Sequence, residues 1–248
     1  MIEIFQNLFS PPRHMILLVI SMWLGLTLAE RRSQRHGISS EDLNNLSFYG
    51  LLAFVIGGRL LYVIENISAF TKSPLSVFSI NPTLFDAVGG IVIAVIAVLV
   101  YSQNKELHIW SVFDSLTPLF AVISIGLGLS HLAAKTAFGT PTTLPWGIEM
   151  WNETRHPVQI YETLASFLLL GLLWRFKQNL QPGITFLTFA ALTAFSNLFL
   201  QTFRADYTAM FNTIRQEQVI LWFVLLACFI LIEIQLNKNI QTSESKTG

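Results

Sequence analysis

Apolar runs close to the length of a bilayer crossing recur seven times in this chain, at 15–29, 46–64, 84–101, 109–133, 158–174, 183–203 and 219–236. Polar residues collect between them. Within lipid a segment of this kind satisfies its backbone by coiling, so the pattern predicts an all-α, polytopic membrane protein of about seven transmembrane helices. The first run is the shortest. Basic residues follow it in Glu30-Arg31-Arg32-Ser33-Gln34-Arg35, and no small-residue cleavage site stands before Glu30. It therefore reads as a retained helix rather than a leader.

The loops set the orientation. Arg31, Arg32, Arg35, Lys105, Arg175, Lys177, Lys238 and Lys246 fall on one side; Arg13, Lys72, Lys135, Arg155, Arg204 and Arg215 fall on the other. The first group clusters at helix ends, which places the N-terminus outside and the C-terminus in the cytoplasm. Residues 135–157 then face outward. Their stretch Gly139-Thr140-Pro141-Thr142-Thr143-Leu144-Pro145-Trp146-Gly147 carries prolines and glycines that exclude regular helix. Trp146 and Trp151 suit the membrane interface. Residues 1–238 read as a single transmembrane domain, and 239–248 as a disordered cytoplasmic tail.

Composition agrees with this picture. Of 248 residues, 52% are hydrophobic and 12% charged, with mean hydropathy +0.55; a soluble domain carries about 25% charged residues. Net charge is zero, so nothing draws the chain to nucleic acid. The single cysteine, Cys228, lies in an apolar run and reads as a small core hydrophobe. Without paired cysteines or a histidine pair at helical spacing, no metal is expected. A nucleotide-binding glycine loop and a nucleophile-elbow serine are also lacking, and no cofactor is expected. The chemistry left is proton transfer and phosphate stabilisation.

An ionisable side chain at the centre of a span costs about 2.5–3.5 kcal/mol, so each needs a reason. Arg59, in Gly57-Gly58-Arg59-Leu60-Leu61-Tyr62, either meets a phosphate, snorkels to the interface, or pairs with a carboxylate such as Glu65. The glycines beside it let another helix approach closely. Asp86 either ends a helix, where the dipole favours a carboxylate, or serves function, and Asp114 sits where capping or pairing suffices. His131 and Lys135, one turn apart, present a base and a cation outward or simply end a helix. The densest polar cluster is the octet Arg155-His156-Pro157-Val158-Gln159-Ile160-Tyr161-Glu162, which opens an apolar run. Pro157 suits a first helical turn, and Arg155, Gln159 and Glu162 are spaced to share one helix face. Cations there join the free N–H groups of a helix N-terminus in an anion site at the depth of lipid phosphates. His14, Gln218 and Glu233, taken alone, read as structural.

The octet resembles prolipoprotein diacylglyceryl transferase, whose pattern there reads R-H-P-[ST]-Q-L-Y-E. The resemblance runs over most of the chain. Leu26 to Arg35 is similar to the end of the family's first helix and its basic first loop, and Gly58-Arg59-Leu60-Leu61-Tyr62 to its G-x-R-L-G-Y. Asp114 and Pro118 match the start of its fourth helix. The loop from Gly139 to Gly147 is similar to G-R-P-T-D-L-P-W-G. Phe203-Arg204 matches the end of E-F-F-R, and Gln218 falls where the family has a glutamine opening the last helix.

The resemblance implies a multi-pass enzyme of the bacterial inner membrane. Such enzymes move a diacylglyceryl group from phosphatidylglycerol to the lipobox cysteine thiol of a prolipoprotein, releasing glycerol phosphate. Arg155, Arg204 and Arg59 would hold the phosphate, His156 or Glu162 would help accept the proton, Gln159 and Tyr161 would orient substrate or neighbouring helices, and Gln218 would join the substrate-binding set. The family signature G-R-I-G-N-F-x-N-G-E aligns from Leu127 with departures. Its arginine falls at Gly128, its first asparagine at His131, its second at Ala134 and its glutamate at Thr136. The histidine of S-F-H-G-G falls at Val88, the tyrosine of the first helix near His14, and the acidic residue of E-F-F-R at Gln201. The expected active site is therefore divergent, with His131 substituting from another helix. Two other readings stay open: a non-catalytic paralogue that binds phospholipid or lipoprotein, and a small transporter suggested by Arg59 and the glycines of the fourth span.

Overall fold

The structure is a computed structural model that describes residues 1–71, 74–79, 84–175, 181–210 and 214–247. Each of the seven apolar runs contains or forms a helix. After a short α1 (Ile2–Leu8) come α2 (Met15–Ser33), α3 (Ser40–Glu65), the single turn α4 (Ile67–Phe70), α5 (Ala87–Asn104), α6 (Ile109–Ala134), α7 (Val158–Trp174), α8 (Ile184–Leu200) and α9 (Gln216–Thr247). Among the described residues, five segments are long and apolar enough to cross a membrane: Ser40–Glu65, Ala87–Asn104, Ile109–Ala134, Ile184–Phe203 and Gln216–Asn237. Helix α7 is apolar but shorter. Helix α2 spends its last turn on Glu30, Arg31 and Arg32, which shortens its apolar length. This is a mostly helical, polytopic membrane protein. The α9 backbone runs to Thr247, past the point where the tail is expected.

Two compact units divide the chain: Gly37–Val112, and Met1–His36 together with Phe113–Gly248. In the first, Ser39 caps α3 by accepting from the Asp42 N–H, and the Tyr101 hydroxyl of α5 donates to the Asp42 carboxylate at 3.1 Å. Asp86 caps α5, accepting from Val88 and Gly89 N–H, as the dipole argument anticipates. The approach of α5 to α3 rests on missing side chains. A Cβ at Gly57 would lie 2.6 Å from Ile93, and one at Gly58 would lie 2.6 Å from the Asp86 carbonyl oxygen. Arg59 neither reaches for solvent nor depends on Glu65. Its guanidinium donates to the carbonyls of Val77 (2.9 Å), Ser76 (2.5 Å) and Leu84, over the Phe70 ring, and so ties down the segment after α4.

The second unit holds α2 against α6 in the same manner. Ser21 and Gly25, one turn apart on α2, face Gly126 and Leu119: a Cβ at Gly126 would lie 1.9 Å from Ser21 Oγ. Arg32 closes the C-terminus of α7, donating to the carbonyls of Leu173 (3.0 Å) and Trp174 (2.9 Å) and lying over the Trp174 ring. Asp114, buried on α6, accepts from the N–H groups of Gly183 (2.6 Å) and Phe186 (2.8 Å) and so caps α8 from outside. Gly183 itself has φ +94°, which side chains rarely tolerate. His36 approaches Asp114 at 3.9 Å. Burial, with Arg32 and Arg35 nearby, lowers the His36 pKa and so disfavours an ion pair with Asp114.

Asp114→Ala removes both acceptors from a buried helix start and should cost about 1–3 kcal/mol. Asp114→Asn keeps one carbonyl oxygen and should cost less. Unfolding of the three proteins in detergent checks the order; equal stabilities would refute the cap.

Candidate functional site

Helices α6, α7 and α8 enclose a cavity of about 150 Å³. Its polar lining follows helical spacing: Ser124, Gly128 and His131 from α6, Glu162 and Ser166 from α7, Thr193, Ser196 and Asn197 from α8. Arg204 enters just past the 3₁₀ turn Gln201–Phe203 that ends α8. Glu162 stands at the centre of the charges. Its Oε2 lies 3.4 Å from His131 Nδ1 and its Oε1 lies 3.5 Å from an Arg204 Nη. The other edge of the Arg204 guanidinium donates to both carboxylate oxygens of Asp206, at 3.1 and 3.3 Å. The two contacts to Glu162 are longer than tight charge-assisted bonds, so a ligand oxygen has room to compete for Arg204.

A small sheet fixes where Arg204 begins. Strands β1 (Ile148–Met150) and β2 (Glu153–Arg155) form an antiparallel hairpin. Its two-residue turn, Trp151 and Asn152, has φ +56° and +63°, the positive values that match the twist of a tight hairpin. The chain at 138–142 pairs with the hairpin on one side, through His156 N–H to the Thr140 carbonyl (3.0 Å) and Thr142 N–H to the Thr154 carbonyl (2.8 Å). On its other side it pairs with the residues around Arg204. Thr140 N–H donates to the Phe203 carbonyl (2.8 Å), Ala205 N–H donates to the Phe138 carbonyl (3.0 Å), and Gly139 bridges Arg204. Beyond Arg204, β3 (Ala209–Met210) pairs antiparallel with β4 (Ile214–Arg215) as a separate two-stranded sheet.

Of the residues expected from sequence, His131, Glu162 and Arg204 come together. The others do different things. Arg155 is not on α7: it closes β2, and α7 starts only at Val158 with Pro157 as its N-cap. Arg155, Gln159 and Glu162 therefore do not share a helix face, because the Arg155 backbone is committed to the hairpin. The Arg155 guanidinium donates to the carbonyls of Met150 and Gly139, each at 3.2 Å, and to the Glu153 carboxylate. His156 packs its ring on Phe203, 5.0 Å between centroids, and near Tyr161. Gln159 is fully buried and donates to the Thr136 carbonyl at 2.8 Å, holding the end of α6. Tyr161 accepts a 2.8 Å hydrogen bond from Trp146 Nε1, which latches the Pro-Trp-Gly loop to α7. Gln218 lies partly buried in the first turn of α9, and Arg59 belongs to the other unit. Sequence reasoning missed the hydroxyl and amide lining, although Thr193, Ser196 and Asn197 form a stripe at i, i+3 and i+4 on an apolar helix.

The profile of the prolipoprotein diacylglyceryl transferase family matches residues 12–234. The chain belongs to that family. It is 26% identical over 234 residues to the phosphatidylglycerol–prolipoprotein diacylglyceryl transferase of Finegoldia magna, covering 93% of each chain. Against the enzyme of that name from Fervidobacterium nodosum it is 29% identical over 209 residues, 78% of this chain and 70% of the other. Against that of Coxiella burnetii it is 30% identical over 176 residues, 68% and 66% respectively.

Two departures from the transferase signature now have a structural setting. Val88, which the resemblance set against the family histidine, is largely exposed in the first turn of α5. Gly128, which the resemblance set against the family arginine, is where α6 touches α7: a Cβ there would lie 2.3 Å from Thr163 Oγ1 and 3.0 Å from the Thr163 backbone nitrogen. His131 lines the same cavity three residues along. Gly128→Arg should therefore not restore a clamp but overpack the helix contact, lowering stability by about 1–3 kcal/mol. A thermal melt at or above that of the parent protein would contradict this packing.

Proposed function

We propose that this protein transfers a diacylglyceryl group from phosphatidylglycerol to the lipobox cysteine thiol of a prolipoprotein, in the bacterial inner membrane. Membership of the transferase family supports the reaction, and the cluster of Glu162, His131 and Arg204 inside a three-helix cavity supports the place. The attacking species is the thiolate. It forms a C–S bond at the glyceryl carbon that carries the phosphate ester. The C–O bond breaks, its electron pair stays on oxygen, and glycerol phosphate departs with one more negative charge. Arg204 faces that growing charge. His131, oriented by Glu162, accepts the thiol proton. The hydroxyls of Ser124, Ser166 and Ser196 and the Asn197 amide suit the free glycerol of the headgroup. In this reading all seven apolar helices cross the bilayer within one domain over 1–238, with the N-terminus outside and the C-terminus cytoplasmic.

The test uses purified protein, labelled phosphatidylglycerol and a synthetic lipobox peptide, with mass spectrometry scoring diacylglyceryl on the cysteine. Arg204→Ala should lower turnover by about 100-fold or more, and His131→Ala by a similar order. Full turnover in Arg204→Ala would remove the site assignment. An unmodified peptide with lipid still bound to the wild-type protein would favour the non-catalytic paralogue, the reading that Val88 and Gly128 favour.

A further inference from the structure

We infer that Arg155 is a positioning residue that holds Arg204 in place through the backbone of Gly139. The inference rests on the assignment of Arg204 to the lipid phosphate. An arginine offers five N–H donors in a rigid fork. In Arg155 the Nε and both terminal nitrogens all donate within the protein: to Met150 of β1, to Gly139 in the middle chain of the sheet, and to Glu153 of its own strand. The Phe138 ring lies 5.1 Å from the guanidinium carbon and covers one face of it. Arg155 is also absent from the lining of the cavity. Its charge is thus spent on fastening the hairpin to the 138–142 segment.

That segment is the partner of Arg204. Gly139 bridges Arg204 directly, and the hydrogen bonds of Thr140 to Phe203 and of Ala205 to Phe138 flank the bridge on either side. Gly139 also allows the close pairing on the hairpin side, since a Cβ there would lie 2.3 Å from the His156 carbonyl oxygen. On the opposite flank Arg215 donates to the Arg204 carbonyl at 3.1 Å and to that of Gln201. Arg204 carries a long, flexible side chain into the cavity, so its aim depends on where its backbone is held. A displacement of about 1 Å at such a group costs on the order of 100-fold in rate.

The experiment compares Arg155→Ala, Arg155→Lys, Gly139→Ala, Arg204→Ala and the Arg155→Ala/Arg204→Ala double variant, each with the helical circular dichroism of the parent. Arg155→Ala should lower kcat/KM for phosphatidylglycerol at least about tenfold, with the KM for lipobox peptide unchanged. Gly139→Ala should do the same without removing any charge, and Arg155→Lys should recover part of the loss by keeping one donor for Gly139. The double variant should be no worse than Arg204→Ala alone. Binding of diacylglycerol, which has no phosphate, should persist in all of them. Losses that multiply in the double variant would overturn the inference, as would full activity in Gly139→Ala or equal loss of both lipids in Arg155→Ala. Full activity in Arg204→Ala would instead remove the headgroup assignment beneath it, whatever Arg155 does.

Discussion

A peptide group without a hydrogen bond inside a bilayer costs several kcal/mol, and much of this structure answers that demand where helices begin and end. Asp86 and Ser39 serve their own helices. Asp114 serves a helix that starts 70 residues later in the chain, near Gly183. Arg32 serves the C-terminal carbonyls of α7, and Arg59 those of the segment after α4. Most charges that stand out in the sequence are thus committed to backbone. Inside the α6–α7–α8 cavity the ionisable groups face one another instead: His131 and Arg204 both approach Glu162.

This division explains how much of the protein could be read beforehand. The five long apolar helices were legible because each is a nearly continuous apolar run, and neither Pro118 within α6 nor the glycines of α3 interrupt it enough to hide the pattern. A capping or pairing role for Asp114 was legible from its place near a helix start, but that it caps α8 and not its own helix was not, because that partner lies 69 residues away. The hairpin at 148–155 was not. Its strands are three residues long, too short for an alternation to register, and its turn is Trp151-Asn152 instead of a glycine-bearing pair. Missing the hairpin displaced Arg155 onto a helix face it does not occupy. Arg204, Glu162 and His131 could be named individually. Their meeting depends on the packing angle of three helices, which no spacing along the chain records.

The family departures take on a physical sense in the same region. Gly128 lets α6 and α7 touch at Thr163, so the space that a longer side chain would need is occupied by helix contact. His131 then brings a titratable ring to the cavity from one turn further along α6. Closeness of helices and identity of the polar set are therefore not independent choices in this protein. A side chain added at position 128 changes the distance between the helices that carry His131 and Glu162, and so alters the charged cluster even where it touches none of its members.

The remote cap on α8 also bears on biogenesis. A membrane chain is delivered to the bilayer from its N-terminus, so α6 arrives with Asp114 before the Gly183 and Phe186 amides that will satisfy it have been synthesised. Until α8 follows, that carboxylate must stay at the interface or keep its proton. Docking of α8 then settles Asp114 at one end and delivers Arg204 to Glu162 at the other. A nascent chain cut between α7 and α8 would lack the partners of two carboxylates at once, the Gly183 and Phe186 amides for Asp114 and the Arg204 guanidinium for Glu162.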